Sequence, residues 1–501
     1  MSSINKLLTK LHTPTWLFIL LIIVFVLRIP SFFEPYAYGD EMIYLTLGEA
    51  IRRGIPLYSE IHDNKPPLLY VMAAIAGNLF WFKALLTLWL LTTVFIFWKL
   101  TEVLFPQNRR AQKIATIIFA LLTTLPLLEG NIVNAELFMI GPIILGFVIL
   151  LSQKLTQKNL FLSGVLFSFA TLFKLPAAFD IPAIIFFWLV TTKFTSNNLK
   201  LISKRALTLL AGFAIPIVIT FFWYFLQGAF KEYLVAAFLQ NFGYLSSWRP
   251  GDVQKSFFIR NLPLLSRTTV LFLGFLVLYG TRKKLSREFL FATIWLLLTL
   301  FAVTLSERPY PHYLVQSIPP FSLLLSMFFA RKDEEQVLVI LPISLAIFVP
   351  FYFNFWHYNT IPYYVRFVRF VSGNISYEQY LSSFGSQVPR NYKIAAYLVS
   401  STSKEEKVFV WGEGSPIYAL SKRFPPGKYV TDYHIKDFSS TEETVSTLSQ
   451  NLPSFIVILP DSEPLFKLET LLSKNYGLTE TIDEAQIWKL LNPKVRAFLS
   501  S

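Results

Sequence analysis

Eleven long apolar runs dominate the first 354 of the chain's 501 residues. They lie near residues 14–33, 83–105, 114–128, 137–152, 159–175, 178–192, 206–227, 268–280, 288–305, 313–330 and 335–354. A helix needs roughly 17–25 apolar residues to cross about 30 Å of hydrocarbon. In lipid, a backbone must satisfy its own polar groups, so such a chain is restricted to a bundle of membrane helices. The runs at 114–128 and 268–280 are short for this purpose. Residues 14–33 do not read as a cleaved leader, because no small-residue cleavage site separates them from PSFFEPYAYGD.

Charge sets the orientation. Only 15% of the residues are charged and mean hydropathy is +0.50, against about 25% charged in soluble domains. Residues 391–501 hold 12 basic and 13 acidic side chains, so the net charge of +14 belongs to the apolar part. Nucleic acid is therefore not an expected partner. Seventeen basic residues fall in short loops on one side of an eleven-span arrangement. They are Lys6, Lys10, Arg109, Arg110, Lys113, Lys154, Lys158, Lys193, Lys200, Lys204, Arg205, Arg282, Lys283, Lys284, Arg287, Arg331 and Lys332. The positive-inside bias places that side and the N-terminus in the cytoplasm, in a multi-pass protein of the cell membrane. The long loops 34–82 and 228–267 and the acidic turns Glu129–Glu136 and Glu307–His312 then face outward, although Arg249, Lys255 and Arg260 lie among them. Residues 66–82, PPLLYVMAAIAGNLFWF, read as a helix at the outer interface.

The composition divides the chain into a membrane domain (1–354), a Tyr- and Ser-rich linker (355–390) and an extracytoplasmic α/β domain (391–501). In the last of these, KVFVWG, KYV, FIVIL and AQIWKL read as strands. SPIYALSKR, TEETVSTLSQ and PLFKLETLLSKNYG read as helices. The chain has no Cys, which removes disulfides, thiolate metal sites and thiol catalysis. No internal repeat is visible.

Four stretches carry candidate chemistry. The first is residues 38–70, YGDEMIYLTLGEAIRRGIPLYSEIHDNKPPLLY, just past the first span. Asp40 and Glu41 stand together there, and Asp63 and Lys65 precede Pro66–Pro67. A carboxylate in a partly desolvated pocket can act as a base toward a hydroxyl, and a Lys supplies a compact charge for phosphate. The plain alternative is a solvated loop flanking a span. The second is EGNIVNAELFMIGP, where Glu136 opens a helix. It reads either as an acid complementing the helix dipole or as a second carboxylate of a site. The third is FATLFKLPAAFD, where Lys174 either snorkels to the headgroups or binds phosphate. The fourth is SERPYPHYLVQSIPPF, which sets Arg308, His312 and Tyr313 at an outer helix mouth. WGEGSPIY in the C-terminal domain carries a lone G-x-G, weak as a phosphate signal.

The first stretch resembles the GT-C integral-membrane glycosyltransferases. It is most similar to the bacterial protein-mannosyltransferase-like, aminoarabinose-transferase-like and RgtA/B/C/D-like group. The shared pattern is D-E-x₂-Y, then L-Y, then D-x-K-P-P-L, met here by Asp40, Glu41, Tyr44, Leu57, Tyr58, Asp63, Lys65, Pro66, Pro67 and Leu68. The resemblance spans roughly residues 10–330. It implies an all-α polytopic bundle that transfers a sugar, with inversion, from a polyprenyl-phosphate donor to a lipid, polysaccharide or protein acceptor. It further implies that Asp40 is the base, that Lys65 holds the donor phosphate, and that Glu136, Lys174, Arg308 and His312 share the pocket. The aminoarabinose enzymes have Glu directly before the Lys, where this chain has Asn64. No cofactor is required, and His62 with Asp63 is the candidate pair for a divalent cation. Two other readings stand beside the enzyme: a flippase or transporter of a lipid-linked glycan, and a non-catalytic scaffold of the same fold. The clustering of polar candidates at one membrane face favours the enzyme over a transporter, which would place them at mid-bilayer.

Overall fold

A computed structural model describes residues 13–243, 256–306, 308–465 and 467–500. Lys6, Lys10, Arg249, Lys255 and Glu307 lie outside the described residues. All eleven apolar runs fall on helices. Among the described residues, eight helices are long and apolar enough to cross a membrane: Thr15–Phe33, Leu79–Leu104, Ala135–Ser152, Ser196–Leu226, Phe257–Thr281, Arg287–Thr304, Pro311–Ala330 and Glu335–Tyr352. The remaining runs form the shorter helices Arg109–Leu122, Gln157–Phe173 and Leu175–Thr191. At 1.5 Å per residue a 14-residue helix reaches only about 21 Å, so Arg109–Leu122 is short for a span.

Close packing of the bundle depends on small residues, which let membrane helices approach backbone to backbone. Helix Gln157–Phe173 crosses Ser196–Leu226 at Gly164 and Gly212. A Cβ on Gly164 would fall 2.0 Å from the Leu209 carbonyl oxygen, and one on Gly212 would fall 2.1 Å from that of Phe161. Gly164→Val is therefore expected to force the pair apart and cost about 1–3 kcal/mol. The purified protein should show this as a lower Tm, whereas Gly280→Val, where nothing lies within 4 Å, should not.

The stretch 66–82 is not one interfacial helix. It splits into a short helix, Leu68–Ala76, and the first turn of the span Leu79–Leu104. The break is Gly77-Asn78. Gly77 takes the left-handed conformation (φ 72°) that ends the first helix, with Arg52 against the position a Cβ would fill. Asn78 caps the second by accepting from the Trp81 amide at 3.0 Å.

Residues 355–390, read from composition as a linker, carry the helices Thr360–Val371 and Tyr377–Ser382 and the start of Gln387–Ser401. Beyond them the α/β domain holds a four-stranded sheet, order β1-β2-β4-β3, with β1 (Val408–Trp411), β2 (Phe455–Ile458), β3 (Tyr476–Ile482) and β4 (Ala485–Leu490). β1 and β2 run parallel, and the other neighbours run antiparallel. Two expectations fail here. KYV is not a strand, and Lys428 spends its carbonyl on the His62 amide at 2.9 Å instead. Tyr476–Ile482, whose first two residues the sequence places at the end of a helix, is an edge strand. It is largely exposed and carries no run of apolar residues, so its sequence shows no strand period.

Candidate active site

Helix Gly39–Arg52 opens immediately after Tyr38, with Asp40 and Glu41 in its first turn. Acids are favourable there because they face unpaired amides and the positive end of the helix dipole. Neighbours on a helix point about 100° apart, since a turn takes 3.6 residues. The two carboxylates therefore enter different surroundings.

Asp40 accepts a hydrogen bond from the Tyr44 hydroxyl, one turn along, at 2.9 Å. Lys65 Nζ lies 3.8 Å from Asp40 Oδ2 and 3.7 Å from Asp63 Oδ2. It also sits 5.0 Å from the centre of the Tyr44 ring. Asp63 is fully buried and is satisfied by the Tyr70 hydroxyl at 2.8 Å and the Asn64 amide at 2.7 Å. Tyr58 takes a left-handed backbone (φ 70°) and donates its hydroxyl to the Lys65 carbonyl at 2.9 Å. Its ring packs on Tyr224 and Tyr233 at 5.2 and 5.1 Å, so it positions the loop from inside the bundle. Pro67 caps helix Leu68–Ala76, which brings Tyr70 back onto Asp63.

A second group comes from distant elements. Glu136 and Lys174 form a buried ion pair, and Lys174 Nζ lies 3.7 Å above the Tyr313 ring. His312 Nδ1 bonds Glu129, and its Nε2 is 3.9 Å from Glu136. Glu129 also accepts from the Tyr38 hydroxyl and the Asn134 amide, each at 3.0 Å.

The two groups act on one another. Burial would raise the Asp40 carboxyl, but Lys65 and His312 outweigh it and hold the group below its ordinary value. Asp63 is held low in the same way: Lys65 and His434, with the Tyr70 and Asn64 hydrogen bonds, overcome its burial. Lys174 in turn feels Lys65 and Asp40. Beside Glu136, Lys174 and Tyr313 opens a cavity of about 550 Å³, whose other walls include Met139, Phe179, Leu264, Phe301 and Val303. Glu136 and Lys174 thus line an apolar chamber, and the Asp40–Lys65 pair and the His312 imidazole stand near them outside its walls.

Not every candidate joins this group. Glu41 turns away, to Lys83 Nζ and the Val133 amide, each at 2.6 Å. Lys83 also holds Glu34 at 2.7 Å and the Asn131 carbonyl at 2.9 Å. Arg308 is 37% exposed and lies 3.9 Å from Asp437 of the C-terminal domain, at the mouth. The His62 ring packs on Tyr429 and Phe438, each at 5.2 Å. Among the described residues, no three or more His, Asp or Glu side chains are grouped to hold a metal ion. Glu129, Tyr38, Tyr70, His434 and Asp437 were not singled out from sequence. Glu129 stood at the head of the EGNIVNAE stretch, and the last two lie in a domain read as separate.

Comparisons with known proteins bear on the two parts of the chain differently. Residues 390–490 match the family described as "Putative competence-induced protein Ccs4 C-terminal domain". No curated protein sequence matches the chain. Among solved structures, ArnT from Cupriavidus metallidurans bound to undecaprenyl phosphate superposes with a TM-score of 0.55 at 14% identity, covering 96% of this chain and 98% of that one. Its apo form gives 0.54 at 14% identity, over 95% and 97%. The archaeal oligosaccharyltransferase AglB from Archaeoglobus fulgidus aligns more loosely, with a TM-score of 0.43 at 14% identity over 88% and 69%. The chain has the fold of the GT-C superfamily of membrane glycosyltransferases: a helical bundle with a small α/β domain at its C-terminal end.

Proposed function

We propose that this protein transfers a sugar from a polyprenyl-phosphate carrier to an acceptor at the outer face of the cell membrane, inverting the anomeric carbon. The observation that carries this reading is that Glu136 and Lys174 line the apolar cavity and that Asp40, Lys65 and His312 lie close enough to act on them electrostatically. An isoprenoid suits the apolar walls, and a phosphate suits the two ammonium groups. The solved ArnT structure is a complex with undecaprenyl phosphate, which fits the same class of carrier.

In this reading Asp40 takes the proton from the acceptor hydroxyl or amine. The freed electron pair forms the new bond to the anomeric carbon. The bond from that carbon to the phosphate oxygen breaks on the opposite face, and its electrons leave with the lipid phosphate. Lys65 and Lys174 stabilise the charge that develops there. Glu136 fixes Lys174, and Glu129 fixes His312. The carrier brings its own leaving group, so no further cofactor enters.

The depressed Asp40 carboxyl has a consequence for pH. A base works deprotonated, and Asp40 stays so until pH falls through its lowered folded value. Initial rates of transfer should therefore hold flat across neutral and mildly acidic pH and fall only below the ordinary carboxylate range. A limb near neutrality would point to a different base.

Binding gives the direct test. A ligand held only by the folded state stabilises it by RT ln(1 + [L]/Kd), about 2.7 kcal/mol at 100 times Kd. Short-chain polyprenyl phosphate should raise the Tm of the purified protein, and Lys65→Met should remove most of that shift. No shift in the wild type, or an equal one in Lys65→Met, overturns the reading.

A further inference from the structure

A second cavity, of about 800 Å³, lies apart from the one beside Glu136, and the two share no lining residue. Its walls include Tyr38, Asn131, Asn359, Arg366, Arg369 and Gln379. One side of it is the helix Thr360–Val371, which follows the last apolar span, Glu335–Tyr352. That helix lies across the end of the first span, Thr15–Phe33. The Phe367 ring packs on Phe33 at 5.4 Å, Tyr364 donates to the Leu27 carbonyl at 3.0 Å, and Tyr363 donates to Glu34 at 2.5 Å. The cavity therefore sits at the level where two apolar spans end.

The helix divides its residues by chemistry. At about 100° per residue, Ile361, Val365 and Val368 share one face, with Val371 beside them, and all four are exposed. Trp356 and Tyr358 just before the helix are exposed as well. An apolar face with Trp and Tyr at a span end suits the boundary between acyl chains and headgroups. Arg366 and Arg369 stand on the flank turned to the cavity. Arg366 Nη1 donates to the Ser383 carbonyl at 2.7 Å, and the guanidinium lies 3.6 Å over the Phe384 ring. Among the described residues neither arginine forms an ion pair, and the exposed Arg369 side chain has no partner at all. The carboxylates of the wall, Glu34 and Glu41, are spent on Lys83 at 2.7 and 2.6 Å. Gln379 Oε1 accepts from the Ser376 amide at 2.8 Å, which leaves its Nε2 free, and the Asn359 side chain is also free among the described residues. Two cations without a counter-charge and two unspent amides thus border an apolar face that no protein segment covers.

We propose that this cavity binds one anionic phospholipid of the leaflet in which the first span ends. The acyl chains lie along Ile361, Val365 and Val368. Arg366 and Arg369 donate guanidinium N–H groups to the phosphate oxygens, a pairing that the planar fork favours. Asn359 and Gln379 meet the hydroxyls of a polyol headgroup. Charge selects the class, because a zwitterionic headgroup would carry its own ammonium in among the two arginines. The lipid is held and not transformed, and it fixes the helix that brings Tyr363 onto Glu34. This site stands independently of the carrier proposed above, since none of Asp40, Lys65, Glu136, Lys174 and His312 lines it.

The test adds dioleoylphosphatidylglycerol to the delipidated full-length protein in neutral detergent, with dioleoylphosphatidylcholine and inorganic phosphate as controls. Native mass spectrometry should show one retained phosphatidylglycerol and little phosphatidylcholine. Arg369→Gln, at an exposed and unpaired position, should keep the wild-type Tm without lipid and weaken phosphatidylglycerol binding about tenfold, the worth of a lost charge-assisted bond. Adding Arg366→Gln should abolish retention. Val365→Ser with Val368→Ser should weaken it too, which a site for the headgroup alone would not show. Lys65→Met should bind phosphatidylglycerol as the wild type does, so this proposal and the carrier reading fail separately. Equal retention of the two lipids, or unchanged affinity in Arg369→Gln, overturns the proposal. So does inorganic phosphate that raises Tm as much as the lipid and loses that effect in Arg369→Gln, because the site then takes a free anion.

Discussion

Replacing Asp40 with Asn is expected to cut glycosyl transfer by about 10²–10⁴-fold, the usual contribution of a positioned general base. The exchange keeps the size of the side chain and an oxygen for the Tyr44 hydroxyl, which now lies 2.9 Å away. The side chain is 29% exposed, so the amide is not left stranded in a dry interior. Lys65 keeps Asp63 as a partner. Folding and carrier binding should therefore survive, and binding should tighten slightly with one negative charge fewer beside Lys65. The check is the transfer rate at saturating donor, read beside Tm and the affinity for polyprenyl phosphate. Unchanged transfer removes Asp40 from the base role, and lost folding would show that its charge is structural. Glu41→Gln makes the contrast. It should lower Tm and leave the rate per folded molecule near the wild-type value, because Glu41 faces Lys83 and not the cavity beside Glu136.

The largest loss of stability is expected at that ion group. Lys83→Met removes the ammonium shared by two carboxylates, Glu34 and Glu41, whose side chains are only 5% and 1% exposed and which then keep the neutral donors Asn131, Tyr363 and the Val133 amide. Removing one partner of a buried pair costs about 3–5 kcal/mol, because the remaining charge has lost its compensation and cannot reach water. Two carboxylates share this one ammonium, so the cost belongs at the upper end of that range. Arg28 feels both carboxylates but is engaged with Thr87 and Gly130. Guanidinium chloride unfolding in detergent should show the drop. Glu41→Gln on the Lys83→Met background should recover part of it, since neighbouring changes of this kind are not additive. A loss below about 1 kcal/mol would mean that water reaches the group. The ions tie the end of the first span to the start of helix Gly39–Arg52, which sets the direction Asp40 faces.

Much of this was legible along the chain. The apolar runs marked the helices because lipid admits few alternatives to an apolar span. The Asp40-to-Leu68 pattern marked the loop after the first span because its Pro-Pro turn and spaced acids act over short range. The same logic explains the misses. Gly77-Asn78 divides a stretch that is apolar on both sides, and only the end-to-end placement of two helices turns those residues into a stop and a start. β3 is held by pairing with β4 along an exposed edge, so nothing in its own pattern announces it.

The site divides along the same line. Asp40 and Glu41 are adjacent acids of nearly identical chemistry, and no local rule says which one meets which lysine. Helix phase against its neighbours decides it, turning Asp40 toward Lys65 and Glu41 toward Lys83. His312 finds Glu129, and His434 finds Asp63, across separations of 183 and 371 residues that leave no periodic trace. Sequence alone determined that this chain is a multi-pass membrane protein and which fold family it resembles, because hydrophobicity and turn chemistry are properties of short segments. Only the tertiary structure decided which acid meets Lys65, which meets Lys83, and that the C-terminal domain contacts the loop at Gly39 and Arg53. Those are relations between surfaces far apart in the chain, and only packing brings them together.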